Sequence, residues 1–402
     1  MELLSKIFRG DKSIWFVFIF LCALSVLEIY SASSSLTFKH VDRHFDPVLR
    51  HIMMLSGGIM VVTVLHYIPF RYFPYLAAVL FVTAILLLIW AIVAGERIND
   101  ASRWVRFLGV QFQPSEFGKL GVVMLSSFIL SKTQTENGVS KNGFWFIIIT
   151  SGMCIGLIFL DNFSTAMLLG LVVLSLMLLG NVQIKSILSI VMVVVTFIVL
   201  IIAFIPESVM PRAATWRSRI SHIITDEKSE EIGKYKITDD NFQVSHAKIA
   251  ISGGGFIGKG PGRSVERDVL PQAYSDFIFA IIIEEWGIMG AIVVIFCYFM
   301  LIYRTGIIAR SCDSLFGRLL AMGCALMIVF QACINMAVAV DCGLVTGQPL
   351  PLISRGGTST IITCVYIGII LSVSVYTKND YPDALKSWRL MNTHNLETEN
   401  EK

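Results

Sequence analysis

Asp276 closes a polar, proline-containing segment and opens an apolar run, RDVLPQAYSDFIFAIIIEEWGIMG over residues 267–290. Glu284 and Glu285 follow inside that run. Ionisable residues within a stretch long enough to cross a bilayer mark functional sites. A carboxylate at the membrane surface can take a proton from a hydroxyl as a general base. It can also cap the helix that starts there, since Asp is a strong N-cap. Residue chemistry alone leaves both roles open for Asp276. Glu284 lies about 12 Å deeper at ~1.5 Å of rise per residue. Two adjacent glutamates in lipid require at least one to face protein.

A second chemical stretch is NDASRWVRFLGVQFQPSEFGK, residues 99–119. Val105 and Phe107, then Val110 and Phe112, alternate around Leu108-Gly109, which predicts a short hairpin. Pro114 and Ser115 then start a helix, with Ser115 a candidate N-cap. Glu116 and Lys119, three apart, share one helix face. They form either a structural ion pair or part of a polar site. Arg103 beside Trp104 is either an interfacial anchor or a phosphate contact next to a stacking surface for a sugar.

Three further stretches carry polar groups. In Gln348 to Thr360, QPLPLISRGGTST, prolines, glycines and hydroxyls open the last apolar run. Irregular backbone at membrane depth survives only against protein or water, so this loop is expected to wall a pocket, with Arg355 a candidate diphosphate contact. Gly253 to Lys259 imitates dinucleotide and phosphate-loop motifs, but Gly260 stands where a phosphate loop needs Ser or Thr. The run reads as a flexible turn whose amides could cradle an anion, with Lys248 a cation nearby. Asp161 and Asn162 before Ser164-Thr165 read as helix capping.

These groups need a scaffold. The chain has 402 residues, 55% hydrophobic and only 15% charged, with mean hydropathy +0.72. That describes an all-α polytopic membrane protein. Ten candidate spans lie near 14–33, 52–68, 75–95, 117–131, 144–160, 164–181, 186–205, 276–303, 319–339 and 359–376. The first is too long for a cleaved signal core and is read as retained. Spans seven and eight flank one long loop, 206–275, with ten Lys/Arg and nine Asp/Glu. Lys and Arg in the short loops favour both termini in the cytoplasm, which sets the long loop outside. A surface helix is expected near its end. The membrane domain thus covers 1–376, and 377–402 forms a flexible cytoplasmic tail. The balance of 32 basic and 29 acidic residues argues against a nucleic-acid partner. The eight cysteines, with no CxxC pair, read as buried small hydrophobes.

Four stretches together resemble the SEDS glycosyltransferases, the FtsW/RodA/SpoVE family: ASRWVRFLGVQFQPSEFGK, SGGGFIGKGPGRS, LPQAYSDFIFAIIIEEWGIMG and TGQPLPLISRGGTST. They occur in the family's order. The resemblance implies a polymerase that joins lipid II into glycan strands outside the bacterial cytoplasmic (inner) membrane. It implies a class B penicillin-binding protein and other divisome membrane proteins as partners. It also implies a divalent cation, Mg or Mn, for which the sequence shows no ligand cluster. The family's essential acid matches Asp276, and its Arg-Trp and Glu/Lys positions match Arg103, Trp104, Glu116 and Lys119. Gln113, Lys248, Arg355 and Ser359, from these stretches and the surface helix, complete the candidate substrate-binding set.

The chain departs from the family pattern at Asp161 to Thr165, at Asp341 to Leu344, at Arg355 and at His246. The SASSS run, the LPLIS-GGTS wording and the long tail look more like FtsW, with the elongation member RodA as the alternative. A lipid II flippase and a recruiting scaffold remain competing functions. In the expected chemistry Asp276 deprotonates a sugar 4-hydroxyl. Arg103, Lys119, Lys248 or a divalent cation offsets the departing diphosphate.

Overall fold

The computed structural model describes residues 8–33, 46–94, 96–98, 101–107, 110–136, 138–204, 242–270, 273–342 and 346–377. Among these, seven helices are long and apolar enough to cross a membrane. They are α1 (Lys12–Ser33), α2 (Asp46–Leu65), α3 (Phe73–Ala94), α5 (Lys141–Asp161), α9 (Ile278–Ser311), α10 (Leu315–Ala339) and α11 (Gly357–Thr377). Two further apolar helices are α6 (Phe163–Leu179) and α7 (Ile184–Phe204). Helix α4 (Pro114–Lys132) carries Glu116 and Lys119, and α8 (Phe242–Gly254) is the helix expected near the end of the long loop. The chain is an all-α, multi-pass membrane protein whose core centres on α10 and α11. Most of the long loop, and the tail beyond Thr377, lie outside the described residues.

Helix α4 is packed by α3, α5, α6 and α10, while α1 lies along α9 and α2 along α1. Before α4 the predicted hairpin forms from β2 (Ala101–Phe107) and β3 (Val110–Phe112), paired Val105 to Phe112 and Phe107 to Val110. A third strand, β1 (Glu96–Ile98), adds to its edge. Ser115 is not the cap of α4: Gln113 holds that position and Pro114, already fixed in φ, follows it. Asn162 does cap α6, accepting from the Thr165 amide at 3.2 Å.

The expected eighth span is two helices. At Gly287 the backbone turns to φ 69°, ψ −167°, a region open essentially to glycine alone, and α9 breaks there. Every residue from Ile278 to Glu285 is buried, so this first half lies inside protein. The glycine run after α8 closes against the break. Lys259 and Gly260 amides donate to the Glu284 and Glu285 carbonyls, both at 2.9 Å. The Ile288 amide donates back to Gly255 O at 3.1 Å. The Lys259 and Gly260 amides, which the sequence offered to an anion, are therefore spent on carbonyls that the break sets loose. A Cβ on Gly258 would run into the Glu285 carbonyl, and one on Gly287 into the Phe256 carbonyl.

Helix α1 runs antiparallel to α9 and is tied to it at both ends. At its start Asp11 caps the helix, accepting from Ser13 N at 2.9 Å and Ile14 N at 3.2 Å. Arg304 grips the same carboxylate, with Nε 3.3 Å from Oδ1. Burial alone would push this carboxyl up. The Arg304 hydrogen bond and charge, with the two amides, outweigh burial and hold it below the usual range.

Two predictions follow from these contacts. Gly287→Ala is expected to cost more than 2 kcal/mol, since it combines forbidden backbone geometry with a clash. Gly255→Ala, also at positive φ but facing open space, is expected to cost only about 1–2 kcal/mol; melting in detergent ranks them. For Asp11 the lowered carboxyl means its stabilisation is complete above the unfolded pKa and is lost as pH falls through the folded one. Acid-side melting curves should show that loss in the parent, and Asp11→Asn should flatten it.

Candidate functional site

Asp276 does not cap α9. The N-cap is Phe277, and no side chain caps the helix. The carboxylate, part-exposed, accepts from the Ser275 hydroxyl at 2.9 Å. Its main chain is fixed from α10: Asn335 Nδ2 donates to Asp276 O at 2.8 Å and to Gln348 O at 2.7 Å. One buried amide therefore holds the acid's backbone against the 346–356 loop. Gly347 brings that loop beside the carboxylate, where an added Cβ would stand 3.5 Å from Asp276 Oδ2.

From Gln348 to Ser354 that loop is buried except at half-buried Pro349, and it walls the site as its irregular sequence requires. Gln331, one turn before Asn335, donates to Pro349 O at 2.9 Å. Tyr298 on α9 donates to Pro351 O, and Gln348 to Thr165 at the start of α6. Ser25 on α1 donates to Ile353 O at 2.7 Å and bonds His51 Nε2 at 2.7 Å. Next to Asp276, Arg355 N donates to Tyr274 O at 2.9 Å, and the guanidinium lies 5.3 Å from the Tyr274 ring centre. Arg355 thus reaches the site as a cation resting on an aromatic face.

Glu116 and Lys119 lie inside the bundle, not along its surface. Lys119, 0% exposed, pairs with Glu116 at 2.8 Å and donates to Gln331 Oε1 at 3.2 Å. A relay runs from Glu116 through Lys119 and Gln331 to Pro349, and the same loop reaches Asp276 through Asn335. Gln113 N approaches Thr358 Oγ1 at 3.4 Å, beside part-exposed Ser359 at the head of α11. Gln113 and Ser115 also line, with Asp161 and Asn162, a cavity of about 20 Å³, room for one water. Ser115 Oγ has no partner among the described residues. Lys248 pairs with Asp341 just past α10. Arg103 and Trp104 lie on β2, and their side chains fall outside the described residues.

Gln331 and Asn335 were not among the expected site residues. The signal was present, because two amides four apart in LMIVFQACINMAV share a helix face and seek partners inside a membrane protein. For the divalent ion that the resemblance implies, no three His, Cys, Asp or Glu come together among the described residues. Among the described residues the donor set forms no protein-made metal cage.

Comparison with known proteins adds a frame to this geometry. The family model for FtsW, RodA and SpoVE, described as cell cycle protein, matches residues 11–379. A probable peptidoglycan glycosyltransferase FtsW of Trichlorobacter lovleyi is 28% identical over 94% of this chain and 97% of its own. The peptidoglycan glycosyltransferase MrdB of Escherichia coli is 26% identical over 92% and 94%. Among solved structures, a chain from a peptidoglycan synthase complex that coordinates polymerization and crosslinking superposes with TM-score 0.70. It is 23% identical and covers 92% of this chain and 98% of that one. The rod shape determining protein RodA of Thermus thermophilus superposes at 0.63, 23% identical, over 91% and 96%.

The buried ion pair yields a test. Lys119→Met leaves Glu116 charged and unpaired in the interior and is expected to cost about 3–5 kcal/mol. Combining it with Glu116→Leu removes both charges and should recover most of that loss. Unfolding midpoints of the single and double variants read the difference.

Proposed function

The chain belongs to the FtsW/RodA/SpoVE (SEDS) family, and on that premise we propose that it polymerises lipid II into glycan strands, with Asp276 as the general base. The observation that carries the reading is the condition of Asp276. It heads a half-helix enclosed in protein, does no capping work, is part-exposed, and has its backbone fixed by Asn335. A catalytic base needs that combination of access and fixed position.

The reaction needs few groups. The acceptor's sugar 4-hydroxyl gives its proton to the Asp276 carboxylate as its oxygen attacks C1 of the donor sugar. The bond from C1 to the lipid diphosphate breaks, and its electron pair leaves with the diphosphate. One carboxylate suffices here, unlike the pair a glycosidase uses. Ser275 orients the carboxylate. Arg355, beside Tyr274, offers charge to the diphosphate, and Arg103 and Lys248 are further candidates. Gln113, Trp104 and Ser359 are read as walls for the sugars. Glu116 and Lys119 act by holding the 346–356 loop, so their part is positioning.

The topology in this reading has ten spans, with α4 crossing as the fourth. Both termini are cytoplasmic and the long loop faces outside. A class B penicillin-binding protein cross-links the strands, in keeping with the synthase complex that shares the fold. The division role rests on the FtsW-like wording of the last loop and on the FtsW-named relatives.

Asp276→Asn in the purified complex with its cross-linking partner is expected to lose at least about a hundredfold in polymer formed from lipid II on gels. A parental rate would remove Asp276 as the base. Polymer made in detergent, where there is no second leaflet, also separates polymerase from flippase.

A further inference from the structure

Ser354 in the 346–356 loop, Ser25 on α1 and His51 on α2 are 2%, 0% and 3% exposed, and the proposed mechanism uses none of them. Ser354 Oγ receives the Leu350 amide at 2.7 Å and lies 2.5 Å from Ser275 O. An amide N–H only donates and a carbonyl oxygen only accepts, so the single Ser354 hydrogen points at Ser275 O. Three successive carbonyls are thereby held ahead of the half-helix. Tyr274 O takes the Arg355 amide at 2.9 Å, Ser275 O takes Ser354, and Asp276 O takes Asn335 at 2.8 Å.

Ser25 is built the same way, one step further from the acid. Its Oγ lies 2.7 Å from Ile353 O and 2.7 Å from His51 Nε2. Ile353 O only accepts, so it takes the one Ser25 hydrogen. Ser25 Oγ then faces the imidazole with lone pairs alone. A bare Nε2 at that distance would set lone pair against lone pair in a buried place, where an unmade hydrogen bond is costly. A hydrogen on Nε2 closes the contact, and in a histidine the partner of each nitrogen decides which one carries it. Ile353 C=O and Ser354 N–H belong to one peptide group. The rung from His51 and the rung to Ser275 therefore act on the same piece of loop.

We propose that His51 carries a hydrogen on Nε2 and is a positioning residue for Asp276. It holds the Ser25 hydroxyl on Ile353 O, and that carbonyl fixes the peptide from which Ser354 grips Ser275. The place of the hydrogen stands on the contacts alone, whereas its consequence for catalysis rests on the reading of Asp276 as the base. Without a donor at position 51 the Ser25 hydroxyl is free to turn from Ile353 O. The peptide before Ser354 then loses its fixed direction, and the chain entering Asp276 is held less firmly.

The experiment combines nitrogen NMR of histidine-labelled protein with kinetics of lipid II polymerisation by the purified complex. The chain has seven histidines, and His51→Gln identifies the His51 signals by their loss. Nε2 of His51 is expected to carry a hydrogen in the parent and in Asp276→Asn alike. This arm is thus independent of catalysis, and its failure is distinct from failure of the base. His51→Leu is expected to lower kcat about tenfold to a hundredfold at little changed KM. His51→Gln, whose amide N–H can stand where the ring N–H stood, should regain most of the rate. Ser25→Ala should lower kcat as far as His51→Leu, and the two combined should cost little more than either, since both act on one carbonyl. An unprotonated His51 Nε2 in the parent overturns the proposal. So does a parental kcat in His51→Leu, a His51→Gln enzyme no faster than His51→Leu, or losses that multiply in the double variant.

Discussion

A helix that breaks inside a membrane protein sets carbonyls and amides loose where water cannot reach them, and each must find a partner. Gly287 imposes that demand here. The answer is a second irregular segment, the glycine run after α8, laid against the break so that each backbone completes the other. Close approach leaves no room for a Cβ at Gly254, Gly258 or Gly287. The Glu284 carboxylate, bonded by Lys259, Ser264 and two amides, ties the following turn to the same place. Without this brace the short half-helix would have no defined direction, and neither would the acid at its head.

The other wall of the site follows the same physics from the opposite side. The 346–356 loop has no helix or strand to satisfy most of its carbonyls, so side chains on three helices do much of it. Gln331 and Asn335 on α10 take Pro349 and Gln348. Tyr298 on α9 takes Pro351, and Ser25 on α1 takes Ile353. Leu352 sits within this loop at φ 68°, a conformation that costs a branched residue about 1–3 kcal/mol and persists only where surroundings over-determine it. Asn335 joins the two walls, since the amide that holds the loop also holds Asp276 O.

Much of this was legible in the residues. Apolar length marked the helices, alternation around Leu108-Gly109 marked the hairpin, and prolines with hydroxyls marked the buried loop. What escaped was long-range pairing. Nothing local says that Gly258 lies against Glu285, because the glycine's reason is a backbone 27 positions away. The glycine run was legible as unusual but not as a brace. Ser115 resembled a cap by type, yet Pro114 at the first helical position moves the cap to Gln113. Asp276 resembled a cap by the same rule, and the helix begins one residue too late for it.

That displacement separates Asp276 from the other acids around the broken helix. Glu284 is enclosed by four donors, Glu116 by Lys119, Glu266 bonds His246 at 2.6 Å, and Asp341 pairs with Lys248. Each of these carboxylates has a basic partner, Glu116 within α4 and the others between segments, and most are held out of water. Asp276 is held through its main-chain carbonyl, which Asn335 binds. Its carboxylate meets a neutral hydroxyl from the neighbouring residue and remains part-exposed. A main chain fixed from α10 beside a part-exposed carboxylate is the combination of placement and access on which the proposed role of Asp276 rests.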